Sequence, residues 1–133
     1  MVIDTSAIIA ILGREPEEPA LRDALRVDRL RFMGAATVVE AGLVAQSKWG
    51  STGGRFLEDL IAGLEVEVLA FDATMAAAAR KAWARFGNGN HPAALNFGDC
   101  LTYAVAEVTG HPILCVGNDF AQSDAALVLG GQG

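Results

Sequence analysis

Two kinds of hydrophobic pattern alternate along this chain. Short continuous apolar runs are typical of strands buried on both faces of a sheet, whereas longer stretches with apolar residues every three to four positions are typical of amphipathic helices. Short segments rich in apolar residues predict strands at residues 2–3, 31–35, 65–70 and 112–116, with residues 126–129 as a candidate last strand. The periodic stretches predict helices at residues 6–12, 17–29, 37–49, 51–64, 73–86 and 97–109.

Residues near the ends of these helices agree with the predicted boundaries. Asp72 and Asn96 are good N-cap residues for the fifth and sixth helices. Thr37 and Glu40 have the spacing of a capping box for the third helix. The stretch FGNGNHPAAL separates the last two helices and predicts a loop because it is rich in glycine, asparagine and proline. The C-terminal GGQG is expected to be loose.

This order of elements indicates the fold class. Strands that alternate with helices predict an α/β protein with a central, mostly parallel β-sheet flanked by α-helices. The chain has 133 residues, the length of an ordinary domain. It shows no linker, internal repeat or low-complexity segment. We therefore expect one domain over residues 1–133.

Composition narrows the cellular setting and the range of partners. The formal net charge of −6 argues against a broad basic surface that holds nucleic acid by charge alone, unless bound cations offset the carboxylates. Cys100 and Cys115 have apolar neighbours in the sequence, which predicts free thiols and a cytoplasmic protein. The sequence has neither the pattern of a signal peptide nor an apolar run long enough to span a membrane.

Four acidic residues occupy positions that can converge in such a fold. Asp4 and Asp119 follow predicted strands, while Glu40 and Asp99 lie in the first turns of predicted helices. Ligand groups in open α/β sheets collect beyond the carboxyl ends of the strands. Converging carboxylates need a counter-charge, and oxygen ligands suit Mg²⁺ or Mn²⁺. Two such ions can activate water in phosphodiester hydrolysis.

Each of these acids also has a purely structural explanation. Asp and Glu are favoured near helix N-termini by capping and by the helix dipole. Glu40 could be only a capping-box partner, Asp99 only a first-turn charge, and Asp119 only a turn residue. Asp4 is harder to explain as a helix cap alone, because the hydroxyl residues beside it could cap the first helix in its place. Spacing alone leaves both explanations open.

Four segments extend in order over nearly the whole chain, namely VIDTSAIIAIL, TVVEA, LNFGDCLTYAVA and PILCVGNDFAQSDA. This ordered set resembles the PIN-domain ribonucleases, and among them the VapC-type toxins of bacterial type II toxin–antitoxin systems. The resemblance implies a PIN-like fold and a metal-dependent endoribonuclease with Mg²⁺ or Mn²⁺ as cofactor. It also implies a set of catalytic metal ligands, namely Asp4, Glu40, Asp99 and Asp119.

The resemblance implies supporting roles as well. Ser6 matches a family hydroxyl and would hydrogen-bond a carboxylate or a water on the metal. Asp124 matches an acid that often follows the GxDF segment and would supplement the site, with capping of a short turn as the alternative. Basic residues of the fifth helix would contact RNA phosphates. The alternative is that these residues only form the solvent-exposed face of that helix. These residues are Arg80, Lys81 and Arg85.

Partners follow from the same resemblance. VapC-type toxins are neutralised by a VapB-type antitoxin whose C-terminal segment covers an apolar groove near the acids, and homodimers are usual in the family. The candidates for that groove are the helix at residues 37–49 and the first helix, with its apolar Ile8, Ile9, Ile11 and Leu12. An RNA substrate is expected, and a membrane partner is not.

Other protein classes fit less well or stay open. A haloacid-dehalogenase-like phosphatase needs a second Asp where this chain has Ser6, and a receiver domain needs a late lysine, whereas the last lysine here is Lys81. A non-catalytic PIN-like module that binds RNA or protein stays open, and so does a housekeeping RNA-processing nuclease without an antitoxin. Metal binding without RNA cleavage would identify the first, and an upstream antitoxin gene would argue against the second.

Overall fold

The computed structural model of the chain describes residues 1–129, so the predicted loose tail lies outside the described residues. The strands within these residues are Val2–Ile3 (β1), Phe32–Gly34 (β2), Glu67–Leu69 (β3) and Ile113–Leu114 (β4). The helices are Thr5–Leu12 (α1), Glu18–Val27 (α2), Ala35–Trp49 (α3), Ser51–Gly63 (α4), Ala73–Phe86 (α5) and Phe97–Thr109 (α6).

The four strands form one parallel sheet in the order β3-β2-β1-β4. The chain moves outward from β1 to β3 and then returns to place β4 on the other side of β1. The strand order therefore reverses between β1 and β4. In open α/β sheets, ligands bind in the crevice at such a reversal. The predicted α/β fold with a parallel sheet flanked by helices is confirmed.

Successive strand residues face opposite sides of the sheet, and both sides are covered at β1, β2 and β4, whereas the edge strand β3 is largely exposed. Ile3, Met33 and Leu114 pack in one cluster with residues of α1 to α4. Val2 and Ile113 face the other side and pack with residues of α5 and α6. All five side chains are at most 1% exposed. This two-sided burial is the physical reason for the continuous apolar runs.

The third helix begins earlier than the sequence predicts. Its N-cap is Gly34, and Thr37 lies buried inside the helix rather than at its start. Two alanines, the best helix formers, extend the helix back to the end of β2. The predicted capping box of Thr37 and Glu40 is therefore wrong. Within the described residues, Thr37 Oγ1 is a buried hydroxyl without a hydrogen-bond partner.

The candidate strand at residues 126–129 is also wrong as a strand. Leu127 makes a single parallel bridge with Ile113, supported by hydrogen bonds from Ile113 N to Ala126 O and from Val128 N to Ile113 O. Because β4 has only two residues, residues 126–129 cannot form a longer strand pairing with it.

Helix α1 is a core helix. Residues 7–11 are all buried, packed mainly with α2, α3 and the sheet. The prediction that Ile8, Ile9 and Ile11 line a binding groove is therefore wrong, since these side chains are part of the core. None of the helices in residues 1–129 combines the length and apolar character needed to cross a membrane.

Candidate active site

Asp4 lies directly after β1 and is only 6% exposed. Its Oδ2 accepts hydrogen bonds from Ser6 N (3.1 Å) and Ser6 Oγ (2.7 Å), and its Oδ1 accepts one from Thr102 Oγ1 (2.5 Å). The bond from Ser6 N makes Asp4 the N-cap of α1. The structural role that the sequence left open is real, and the three bonds together fix the direction of the carboxylate.

Ser6 connects the ends of two neighbouring strands. Its Oγ donates to Asp4 and accepts a hydrogen bond from Val116 N (3.0 Å), just beyond β4. A hydroxyl can donate and accept at once, so one side chain joins the carboxyl ends of β1 and β4. The predicted hydrogen bond from Ser6 to a carboxylate is present.

Glu40 reaches the same region from α3. Its Oε1 accepts a hydrogen bond from Thr5 Oγ1 (2.6 Å). The carboxylate also lies against the backbone of Gly98, where a Cβ would overlap Oε2 and come within 2.7 Å of Cδ. A side chain at position 98 would therefore have to displace the Glu40 carboxylate from this position.

Asp99 is fixed by the first turn of α6. Asp99 N donates to Asn96 Oδ1 (2.8 Å), and Asn96 N donates to Asp99 Oδ2 (2.9 Å), which forms a complete capping box. The predicted cap at Asn96 is confirmed. Asp99 thus has the helix-stabilising role that the sequence left open, yet it is only 6% exposed.

The electrostatic surroundings of Asp99 are unusual for a capping residue. The pKa of Asp99 is raised to about 7, chiefly by burial and also by the carboxyl groups of Asp119 and Asp4, while the backbone hydrogen bond from Asn96 lowers it. Within residues 1–129, none of the ion pairs involves any of the four predicted ligands. The cluster therefore carries negative charge that no neighbouring cation neutralises.

Asp119 is exposed and lies in the loop after β4. Gly117 adopts a φ of 89°, in the left-handed region that favours glycine, so the chain can turn there. Phe120 is 1% exposed and packs in the core beside α5 and α6. This anchor fixes the loop while the Asp119 side chain stays in solvent near Asp99.

The same acids affect the pKa of the Cys115 thiol. The pKa of Cys115 is raised to about 12, chiefly by burial and also by the carboxylates of Asp4, Asp119 and Asp99. Cys115 is therefore close to three of the acids and stays protonated at neutral pH. Both cysteines are free thiols, with Cys100 buried and Cys115 half-buried.

The acids are close together without forming a finished ligand shell. In the part of the chain that the structure describes, no three His, Cys, Asp or Glu side chains already form a group that could hold a metal ion. Asp4, Glu40 and Asp99 are each held by hydroxyl or backbone donors. The chemistry of the donor set nevertheless fits, because hard carboxylate oxygens are the ligands that Mg²⁺ and Mn²⁺ prefer.

Asp124 has other partners than the four acids. It accepts a hydrogen bond from Tyr103 OH and forms an ion pair with Arg85 at 3.2 Å. Asp124 therefore does not join the cluster of the four acids. Arg85 pairs with Asp124 and not with those acids. Arg80 and Lys81 lie exposed on α5 and line a groove between α5 and α6.

Three contributing residues have little signal in the sequence: Thr5, Gly98 and Thr102. Thr102 could be found by its spacing, because a residue three positions after Asp99 shares its face of the helix. Gly98 and Thr5 are adjacent in sequence to predicted ligands, but only the packing of α3 against α1 and α6 reveals their contacts with Glu40.

Comparisons with known proteins agree with this geometry. A sequence model of the PIN domain matches residues 1–126. The chain is 44% identical to Ribonuclease VapC of Mycolicibacterium smegmatis over 128 residues, which cover 96% of this chain and 99% of that protein. It is 41% identical to Ribonuclease VapC30 of Mycobacterium tuberculosis, again over 96% of this chain and 98% of the relative.

Solved structures have the same fold at low sequence identity. The crystal structure of Mycobacterium tuberculosis VapC20, described as a sarcin-ricin loop cleaving toxin, has a TM-score of 0.77 at 13% identity and covers 94% of this chain and 95% of that chain. A toxin–antitoxin complex from Klebsiella pneumoniae has a TM-score of 0.69 at 14% identity and covers 95% of this chain and 94% of that chain. PIN-domain ribonucleases generally depend on divalent metal ions. The matched length, the sequence identity and the shared fold show that this chain belongs to the PIN-domain family, among its VapC ribonucleases.

Proposed function

We propose that this protein is the toxin of a VapBC-type toxin–antitoxin pair, an endoribonuclease that uses Mg²⁺ or Mn²⁺ to hydrolyse an RNA phosphodiester bond. The observation that carries the proposal is the surroundings of Asp99. Its carboxyl group is buried next to those of Asp4 and Asp119, no basic side chain pairs with these three acids in residues 1–129, and its pKa is about 7. A divalent cation is the partner that makes such a cluster favourable.

The four acids would hold the metal with different freedom. Asp4 and Asp99 are the anchors, because three hydrogen bonds fix the first and a capping box fixes the second. Glu40, held by Thr5, and the exposed Asp119 would complete the site directly or through water. The exposed side chain of Asp119 has the freedom to rotate toward a cation. Asp124 remains only a candidate supplement, since Tyr103 and Arg85 engage it.

RNA hydrolysis would depend on the metal ion and on how these residues hold it. A bound divalent cation lowers the pKa of a water molecule and stabilises charge on phosphate oxygens. The carboxylates and their hydroxyl partners hold the ligand oxygens in fixed directions, which reduces reorganisation during the reaction.

A covalent mechanism has little support. The thiol of Cys115, with its pKa of about 12, is protonated and a poor nucleophile at neutral pH. His91 accepts a hydrogen bond from Ala93 N and packs on Phe86, and His111 packs on Phe32.

Partners and setting form part of the proposal. We expect a cytoplasmic protein with one PIN domain over residues 1–133, a homodimer, and a VapB-type antitoxin as cognate partner. The VapC names of its relatives and the toxin–antitoxin complex with the same fold support the antitoxin. On α3, next to Glu40, Val39 is 61% exposed and Leu43 65% exposed. An apolar antitoxin segment that covered these side chains would also block the acids.

The test is RNA cleavage by the purified full chain without antitoxin, in Mg²⁺, Mn²⁺ or EDTA. Asp4→Asn and Asp99→Asn keep the size of each side chain but remove a charge, and we expect both to abolish cleavage. Asp59→Asn, at an exposed position on α4, is the matched control and should cleave like the wild type. Cleavage in EDTA, or equal cleavage by all variants, would contradict the proposal.

A further inference from the structure

A groove of about 820 Å³ lies between α5 and α6 and takes no part in the four-acid cluster. Part of its lining comes from Cys100 and Leu101, which directly follow Asp99 in α6. Two large aromatic side chains line it as well, Phe97, which is 77% exposed, and Trp83, which is 42% exposed. Phe97 buries little surface within the chain, so packing does not explain it, whereas Trp83 packs on Gly87 and leaves only part of its ring open to the groove.

The same groove carries two neighbouring cations. Arg80 and Lys81 line it, both are exposed, and neither takes part in an ion pair within residues 1–129. Among the basic side chains, only Arg22, Arg26 and Arg85 pair with carboxylates in the part of the chain that the structure describes, so the absence of an ion pair alone does not set Arg80 and Lys81 apart. Their distinguishing feature is that the two adjacent cations line the same groove as Trp83 and Phe97, a combination that favours an anionic ligand with flat rings in a chain with a net charge of −6.

We propose that the α5–α6 groove binds a single-stranded segment of the RNA substrate next to the scissile phosphate, with bases stacked on Phe97 and Trp83 and phosphates at Arg80 and Lys81. This inference rests on the function proposed above, because it assigns the place of the substrate relative to the acids. Stacking on aromatic rings combined with cations along the backbone is how proteins hold single strands without reading their sequence. An apolar peptide would use the rings but leave both cations without partners.

The position of Phe97 links the groove to the acids. Phe97 directly precedes Gly98, against which the Glu40 carboxylate lies, and it stands two residues before Asp99. A base stacked on Phe97 therefore brings its own phosphate close to Glu40 and Asp99. Trp83, Arg80 and Lys81 lie on α5 across the groove, where the strand would continue away from the acids.

The test measures binding separately from cleavage. The probe is an end-labelled, unstructured oligoadenylate, and its anisotropy is followed with the full chain in EDTA, where no cleavage is expected. Phe97→Leu and Trp83→Leu keep an apolar side chain but remove stacking, and each should weaken binding by about fivefold to a hundredfold. Phe56→Leu on α4, where Phe56 is 52% exposed, is the matched aromatic control and should bind like the wild type.

The cations are tested by salt dependence. Arg80→Gln and Lys81→Gln should each reduce the slope of log affinity against log salt by about 0.7. Arg55→Gln on α4 is the control and should leave the slope unchanged. Circular dichroism confirms that each variant is folded.

Each outcome separates this inference from the function itself. If the wild type does not bind the probe, or if groove variants bind with unchanged affinity and salt slope, the inference is overturned, whether or not the protein cleaves RNA. If groove variants instead change the oligomeric state in sedimentation and leave RNA binding intact, the groove is an interface between copies of the chain and the inference is also overturned. If groove variants lose binding while the wild type binds but does not cleave, the groove stands and the nuclease function fails.

Discussion

At the scale of single residues, the acids combine a structural and a chemical role. Asp4 caps α1, and Asp99 completes the capping box of α6. The hydrogen bonds that stabilise the helices are also the bonds that fix the directions of the two carboxylates. A capping explanation and a ligand explanation therefore do not exclude one another, which is why spacing alone could not separate them.

Gly98 provides the sharpest prediction at this scale. Gly98→Ala should destabilise the protein by about 1 kcal/mol and lower RNA cleavage at least tenfold, because its Cβ would displace the Glu40 carboxylate. The three atoms nearest to that Cβ all belong to Glu40. In a Glu40→Ala background the same change should therefore cost no stability, since alanine is the better helix former.

The measurement is a double-mutant cycle of thermal unfolding, with cleavage rates for the single variants. Equal costs of Gly98→Ala in both backgrounds would show that the clash with Glu40 is not the reason for glycine at this position.

At the scale of elements, the approach of helices sets the positions of the site residues. Helix α3 carries Glu40 and packs closely against α4, which follows it after Gly50. Where the two helices meet, Gly53 lies against the backbone of Ala45, and a Cβ there would overlap the Ala45 carbonyl oxygen and come within 2.7 Å of its carbon. Gly54, the next residue, faces open space.

These adjacent glycines make a matched pair. Gly53→Ala should destabilise the protein by about 1–3 kcal/mol, because the Ala45 backbone cannot move aside as a flexible side chain can. Gly54→Ala should stabilise it by about 0.5–1 kcal/mol through helix propensity. Chemical denaturation of both variants measures the difference. Similar shifts for the two would mean that the contact between α3 and α4 is not as close as described.

At the scale of the whole molecule, the sheet topology concentrates acidic groups at one place. The reversal of strand order between β1 and β4 brings the end of β1 next to the loop after β4. The hydrogen bond from Asp4 N to Leu114 O, 2.9 Å, marks this junction. Because the protein is acidic overall, the cluster lies in an already negative field, and a bound divalent cation would relieve it.

The raised pKa of Asp99 predicts how stability depends on pH in the absence of metal. The folded protein binds the Asp99 proton with a pKa of about 7, against an ordinary value of 3.8 in the unfolded chain. The stabilisation from this group is therefore present below about pH 4 and is lost as the pH rises through 7. In EDTA, the unfolding temperature of the wild type should fall relative to that of Asp99→Asn over this range.

The control for this prediction is the metal itself. Mg²⁺ or Mn²⁺ at neutral pH should raise the unfolding temperature of the wild type, because a ligand of the folded state stabilises it, and should have little effect on Asp99→Asn. A difference between the two proteins that does not change with pH would contradict the assigned pKa.

Much of this architecture could be predicted from local sequence. The apolar runs identified β1 to β4, and the caps at Asp72 and Asn96 identified the starts of α5 and α6. The errors occurred where tertiary packing decides the outcome. Helix α3 begins before Thr37, and the apolar face of α1 fills the core instead of a groove. Hydrophobic periodicity identifies an apolar face but does not say what covers it.

The sequence by itself determined the α/β class, the parallel sheet and the positions of four acids at strand ends and helix starts, because these follow from residue spacing and local capping. Tertiary structure decided which groups meet. Thr102 bonds Asp4 from 98 positions away, Thr5 bonds Glu40, and Asp124 turns to Tyr103. Such contacts depend on the distance and angle between packed elements, and no local pattern in the chain encodes those quantities.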